Sequence, residues 1–147
     1  MRNGLLFADL GIHGGGVYLE SSNAVIQNTI IAFSTHGEAI GSQGPPGSAS
    51  AYVKCSDLYG NPGGDWVGCV VGQGAAYGNF SLDPLFCALT YGDYSLSEGS
   101  PCLDPHACST VGALGAGCSV QTGVEAEREV RTTWGTAKSR IAASPAR

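Results

Sequence analysis

The stretch Ala24-Val25-Ile26-Gln27-Asn28-Thr29-Ile30-Ile31-Ala32-Phe33 does most to narrow what this chain can fold into. It is β-branched and nearly continuous, and its apolar residues do not recur at helical spacing, so it belongs to strands. Gln27, Asn28 and Thr29 interrupt it, and two short strands meeting at a corner near Asn28 fit better than one flat strand. Upstream, Gly14-Gly15-Gly16 leads into Val17-Tyr18-Leu19-Glu20, and Ser21-Ser22-Asn23 forms a turn. Downstream, Ala51–Asn61 aligns with the run from Ala24. Matching Asn28-Thr29-Ile30-Ile31 to Ser56-Asp57-Leu58-Tyr59 gives a spacing of 28 residues (Asn28 to Ser56), within the range of repeat architectures. Gly41–Ser48 between the copies reads as an outward loop.

Composition supports many short strands over a helical bundle: charged residues are only 13% and Gly is 23 of 147. The expected architecture is all-β, a parallel solenoid in which short strands stack in register, Val, Ile and Leu form inward ladders, and Gly, Asn and Ser turn the corners. Residues 1–119 are expected to form its coils and 120–147 a flexible or short helical tail. A solenoid starting near Gly14 would leave an open coil edge, so self-association through that N-terminal edge is expected.

Charge is unevenly placed. Five of the seven Lys and Arg follow Val124, and before it only Arg2 and Lys54 face nine acidic residues. An acidic body without a basic stripe makes nucleic acid an unsuitable partner. No stretch is long enough to span a membrane. The six cysteines, Cys55, Cys69, Cys87, Cys102, Cys108 and Cys118, lack C-x-x-C spacing, so disulfides in an oxidising compartment are expected rather than a metal centre. Yet no apolar signal segment follows Met1, which suggests a fragment or a gene start placed too late.

In the second half, Cys55-Ser56-Asp57-Leu58-Tyr59-Gly60-Asn61, Asp83-Pro84-Leu85-Phe86-Cys87, Asp93-Tyr94-Ser95-Leu96, Gly99-Ser100-Pro101-Cys102 and Gly112–Cys118 occur in that order. This series resembles the C-terminal end of bacterial cell-envelope right-handed parallel β-helix repeat proteins of the pectate-lyase-like type. The resemblance spans roughly Gly14 to Cys118. Thr132-Thr133-Trp134-Gly135-Thr136-Ala137-Lys138 is similar to a Trp-Gly segment near the end of related secreted proteins. The resemblance implies a right-handed β-helix in the extracellular space or cell envelope, acting as a stalk, adhesin or glycan-binding scaffold. The alternative is the terminal part of a polysaccharide lyase or glycoside hydrolase whose catalytic coils lie upstream. Six cysteines allow fifteen pairings; pairing between sequence neighbours gives Cys55–Cys69, Cys87–Cys102 and Cys108–Cys118.

Catalytic chemistry is hard to place. Calcium would need six to eight convergent oxygens, and Asp57, Asp65, Asp83, Asp93 and Asp104 are spread along turns. Asp83 before Pro84 reads as a turn builder, and Tyr94 to Ser97 as a half-buried strand. Asp57 and Asp65, with Trp66 able to stack on a sugar ring, are the best glycan-contact candidates, set against Trp66 simply packing over the strand edge. His13, His36 and His106 sit in Gly- or Pro-rich turns and read as surface loops. Gly14–Gly16 precedes a strand, so it is no phosphate loop, while Asn79-Phe80-Ser81 has the form of a glycosylation acceptor. No cofactor and no catalytic residue are expected; polysaccharide or cell-surface glycan is the expected partner.

Overall fold

The structure, a computed structural model, describes residues 5–6, 14–105 and 108–119. The expected tail over 120–147 and its Trp134 segment lie outside these residues, as do His13 and His106. The strands are β1 (Leu5–Leu6), β2 (Val17–Glu20), β3 (Asn23–Gln27), β4 (Ile30–Ala32), β5 (Ile40–Gln43), β6 (Ser50–Lys54), β7 (Asp57–Tyr59), β8 (Phe86–Ala88), β9 (Asp93–Ser97) and β10 (Ala116–Cys118). Single 3-10 turns occupy Gly68–Val70 and Leu89–Tyr91.

The corner expected near Asn28 separates β3 from β4. Asn28 takes a left-handed φ of 50°, which Asn tolerates better than most side chains. The Thr29 hydroxyl then donates back to the Gln27 carbonyl (2.9 Å). The same device recurs between β6 and β7, where Cys55 has φ 46° and the Ser56 hydroxyl donates to the Lys54 carbonyl (2.9 Å).

The expected right-handed parallel β-helix is not found. The strands form four small separate sheets of two or three strands, ordered β1-β4-β7, β10-β9-β8, β2-β5 and β3-β6. The β10-β9-β8 sheet is mixed, with β10 parallel and β8 antiparallel to β9. The reason lies in the chain between the sheets. Pro62-Gly63-Gly64-Asp65 and Gly72-Gln73-Gly74 break up the residues from 60 to 85, which contribute one 3-10 turn and no strand, so the ladders stop. The register also differs from the 28-residue reading: Ile30 faces Asp57 and Asn23 faces Ser50, each 27 residues apart.

Alternation within the strands builds two cores. Leu19, Ile26, Ile31, Ile40, Val53 and Leu58 pack together in the first, with Ile26 in register with Val53 and Ile31 with Leu58. Ile30 and Ala32 point the other way and join Leu96, Cys102 and Val111 in the second. Thus β4 is buried on both faces, which accounts for its uninterrupted apolar sequence. Phe33, Tyr59, Phe86 and Tyr94 close the second core through edge-to-face contacts with centroids 5.6–6.4 Å apart.

Where strands run out, side-chain amides satisfy the exposed backbone. Gln73 accepts from Val53 N–H (2.9 Å) and donates to the Ala51 carbonyl (2.8 Å), covering the free edge of β6. Asn79 accepts from Ser56 N–H (3.2 Å) and donates to the carbonyls of Val53 (2.8 Å) and Gln73 (3.0 Å). Asn61 does the same one corner along, accepting from Ser34 N–H (3.3 Å) and donating to the Ile31 carbonyl (3.0 Å). Asn79→Leu strands several buried backbone groups at about 1–3 kcal/mol each. Urea denaturation is expected to show a loss of about 2 kcal/mol or more, whereas an unchanged midpoint would contradict the role given to the amide.

Candidate functional site

The three glycan-contact candidates meet different fates. Because Ile30 faces Asp57, the carboxylate enters the second core and is fully buried. Asp57 Oδ1 accepts from Leu82 N–H (3.1 Å) and Oδ2 from the Cys102 thiol (3.4 Å). Asp65 serves its own turn: its carboxylate accepts from the N–H groups of Gly60 (3.2 Å) and Asn61 (3.0 Å) and from the Asn61 side-chain amide (2.7 Å). Trp66 is half-buried against the first core and its Nε1 donates to the Ser81 hydroxyl (3.0 Å). These side chains do not present one open face to a sugar.

Asp57 and Cys102 form a buried acid–thiol pair with no cation beside it among the described residues. Burial raises the Asp57 pKa to about 7, with Asp65 and Asp83 adding repulsion, against the lowering effect of the Leu82 and Cys102 hydrogen bonds. Burial likewise pushes the Cys102 thiol far up, helped by the neighbouring Asp57. A thiol so protonated is no nucleophile. Ser100 holds the turn beneath it, accepting from Cys102 N–H (3.1 Å) and donating to the Pro84 carbonyl (2.6 Å).

The neighbour pairing of cysteines is corrected. The bridges are Cys55–Cys108 and Cys87–Cys118, while Cys69 and Cys102 are free. Sequence neighbours are kept apart because the Gly68–Val70 turn packs Cys69 against the first core and Cys102 is enclosed in the second. The two bridges are compatible with an oxidising compartment. Among the described residues no helix is long and apolar enough to cross a membrane.

The remaining acids are turn formers. Asp83 accepts from Leu85 N–H (3.0 Å), as its place before Pro84 suggests, and Asp93 accepts from Ser95 N–H (3.0 Å). The Ser95 hydroxyl and N–H hold the Asp93 carboxyl below its ordinary range. Among the described residues no three His, Cys, Asp or Glu side chains group as metal ligands. The amide of Asn79, in the acceptor-like tripeptide, is buried and spent on the backbone. A cleft of about 340 Å³ lined by Asn79, Phe80, Leu82, Pro101, Asp104 and Pro105 is mostly apolar, and Asp104 is its one carboxylate.

Sequence reasoning passed over the outward side of the β3–β6 pair. There Tyr52 is 43% exposed, opposite Val25 (55%), and its ring meets that of Tyr77 (57%) with centroids 4.9 Å apart. Period-two alternation through Ser50-Ala51-Tyr52-Val53-Lys54 was the available signal: Ala51 and Val53 are buried, so Tyr52 and Lys54 share the outer face.

Two outcomes test this chemistry. Folded protein keeps the Asp57 proton up to pH 7, and an unfolded chain releases it near pH 4. The unfolded state therefore binds fewer protons over that window, and stability is expected to fall from about pH 4 to 7, at up to about 1.4 kcal/mol per pH unit. Asp57→Asn keeps an acceptor for Leu82 and should flatten that slope in urea melts at pH 4.5 and 7.5; an equal slope in both proteins would refute the assignment. Thiol titration should find two reactive cysteines in denaturant, and Cys55→Ser should remove roughly 3–4 kcal/mol through loss of a long loop closure. Compared with known proteins, the chain matches no family model, no curated protein and no solved structure, and none of these comparisons identifies it with the envelope proteins its motifs resemble.

Proposed function

We propose that this chain is a non-catalytic module of the extracellular space or cell envelope, working as a structural or glycan-facing scaffold. One observation carries the reading: the polar side chains that chemistry would need are engaged in holding backbone. Asn61, Asn79, Gln73 and Asp65 each satisfy main-chain groups, and Asp57 is enclosed in the core. Glycoside hydrolysis needs paired carboxylates across an open cleft. The apolar cleft beside Phe80 is lined by Asp104 as its one acid. The bridges Cys55–Cys108 and Cys87–Cys118 support an oxidising setting, in which such links persist.

Incubation with polyuronates and neutral glycans tests the non-catalytic part. The protein is expected to release neither unsaturated products, read by ultraviolet absorbance, nor new reducing ends. Turnover that survives repurification, and that Asp104→Asn abolishes, would replace this reading with an enzymatic one.

A further inference from the structure

We propose that Asp57 and Cys102 form a pH-operated latch beside the Cys55–Cys108 bridge: loss of the carboxyl proton frees the turn that carries Cys102, and its sulfur then exchanges with that bridge. Three sulfurs are gathered around one carboxyl. Cys55 precedes Asp57 by two residues, so their Cα atoms are within about 7.6 Å, two backbone steps. Asp57 accepts from the Cys102 thiol (3.4 Å), and Cys102 precedes Cys108 by six residues. The bridge packs on Gly78, where an added Cβ would come within 2.5 Å of the Cys108 sulfur and 3.3 Å of the Cys55 sulfur. Gly78 lines the apolar cleft of about 340 Å³ together with Pro101, Asp104 and Pro105 from the Cys102 turn, so that turn has free volume beside the bridge.

The turn is tied down by the Ser100 hydroxyl to the Pro84 carbonyl (2.6 Å), by Val111 N–H to the Cys102 carbonyl (2.8 Å) and by the Thr110 hydroxyl to the Leu103 carbonyl (3.0 Å). The thiol–carboxyl contact is the tie that depends on pH. Facing the carboxyl are the Cys102 thiol and two acids, Asp65 and Asp83, which repel a charge there. Lys54, the one Lys or Arg among the described residues, lies on the outward side of β6. An ionised Asp57 is thus an uncompensated charge in the second core, and admitting water relieves it. Opening the turn admits water, since Gly99 and Asp104 near its ends are already exposed.

In the open turn the thiol regains an ordinary acidity, near about 8.5, and gives its proton to water. The thiolate attacks the Cys108 sulfur. The Cys102–Cys108 bond forms, the Cys55–Cys108 bond breaks, and the electron pair leaves on the Cys55 sulfur, which takes a proton back from water. No oxidant is consumed. The free thiol moves from an enclosed position to Cys55, part-exposed at the corner between β6 and β7.

Labelling of the intact chain with N-ethylmaleimide, read at each cysteine by peptide mapping, tests the latch. Between about pH 5 and 7 the rate at Cys102 is expected to rise about a hundredfold per pH unit, tenfold from opening and tenfold from thiolate, and only tenfold per unit above pH 7. Asp57→Asn should show the tenfold dependence throughout; if that variant does not fold by circular dichroism, the change of slope within the natural chain carries the test. The rate should be insensitive to low urea, as a local opening exposes little surface. A single tenfold dependence in the natural chain, or a urea dependence equal to that of global unfolding, overturns the latch. Incubation without added thiol at about pH 8.5, followed by acid quenching, should yield Cys102–Cys108 and a labelled Cys55. Cys102→Ser, which keeps a donor for Asp57, should retain the native bridges alone. Native bridges alone in the natural chain overturn the exchange, and rearrangement that persists in Cys102→Ser assigns it to Cys69 and overturns it as well.

Discussion

A strand enclosed on both faces has only neighbouring backbone to satisfy its N–H and C=O groups, and β4 is such a strand. Its residues alternate between two cores, so it must be paired along both edges, by β1 and by β7. The same demand then passes outward. Beyond β7, Leu58 N–H donates to the Phe80 carbonyl and Phe80 N–H to the Ser56 carbonyl, although no regular strand is present there. Beyond β6, the demand is met by Gln73 and Asn79 side chains. A rung of amides thus ends the β3-β6 ladder where the sequence turns rich in Gly and Pro.

Much of the local structure could be read from residue types. The corner at Asn28, the turn set by Asp83 before Pro84 and the alternation of Tyr94 and Leu96 in β9 all follow from short-range preferences. What could not be read was the extent of the sheets. The 28-residue repeat implied coils running on to residue 119, yet the residues from 60 to 85 lack the alternating β-branched pattern that a further rung needs. Cysteine pairing failed for a related reason. Proximity in sequence says little once Cys69 and Cys102 are directed into different cores.

The candidate site turned on one residue of register. With a spacing of 28, Asp57 aligns with Thr29, in the corner between β3 and β4. With 27 it aligns with Ile30 and faces the second core, because a single-residue slip exchanges the two faces of a strand. The same rule, applied to β6, would have placed Tyr52 and Lys54 together on the outside. Trp66 drew attention as the sort of residue that stacks on sugars, but residue type alone does not reveal that its indole is engaged by Ser81 and the first core.

The cysteine connectivity has a consequence for how the chain reaches its native state. Short loops close more readily than long ones, and the two shortest closures open to this chain, Cys102 to Cys108 and Cys108 to Cys118, are the ones that form first under oxidising conditions. Both bridges are wrong, and each uses a sulfur that the native pairs require or that the second core must enclose. Correct maturation therefore depends on thiol exchange continuing until Cys102 is shielded by Leu96 and Val111. Packing of that small apolar cluster takes Cys102 out of exchange and leaves Cys108 to Cys55 and Cys87 to Cys118.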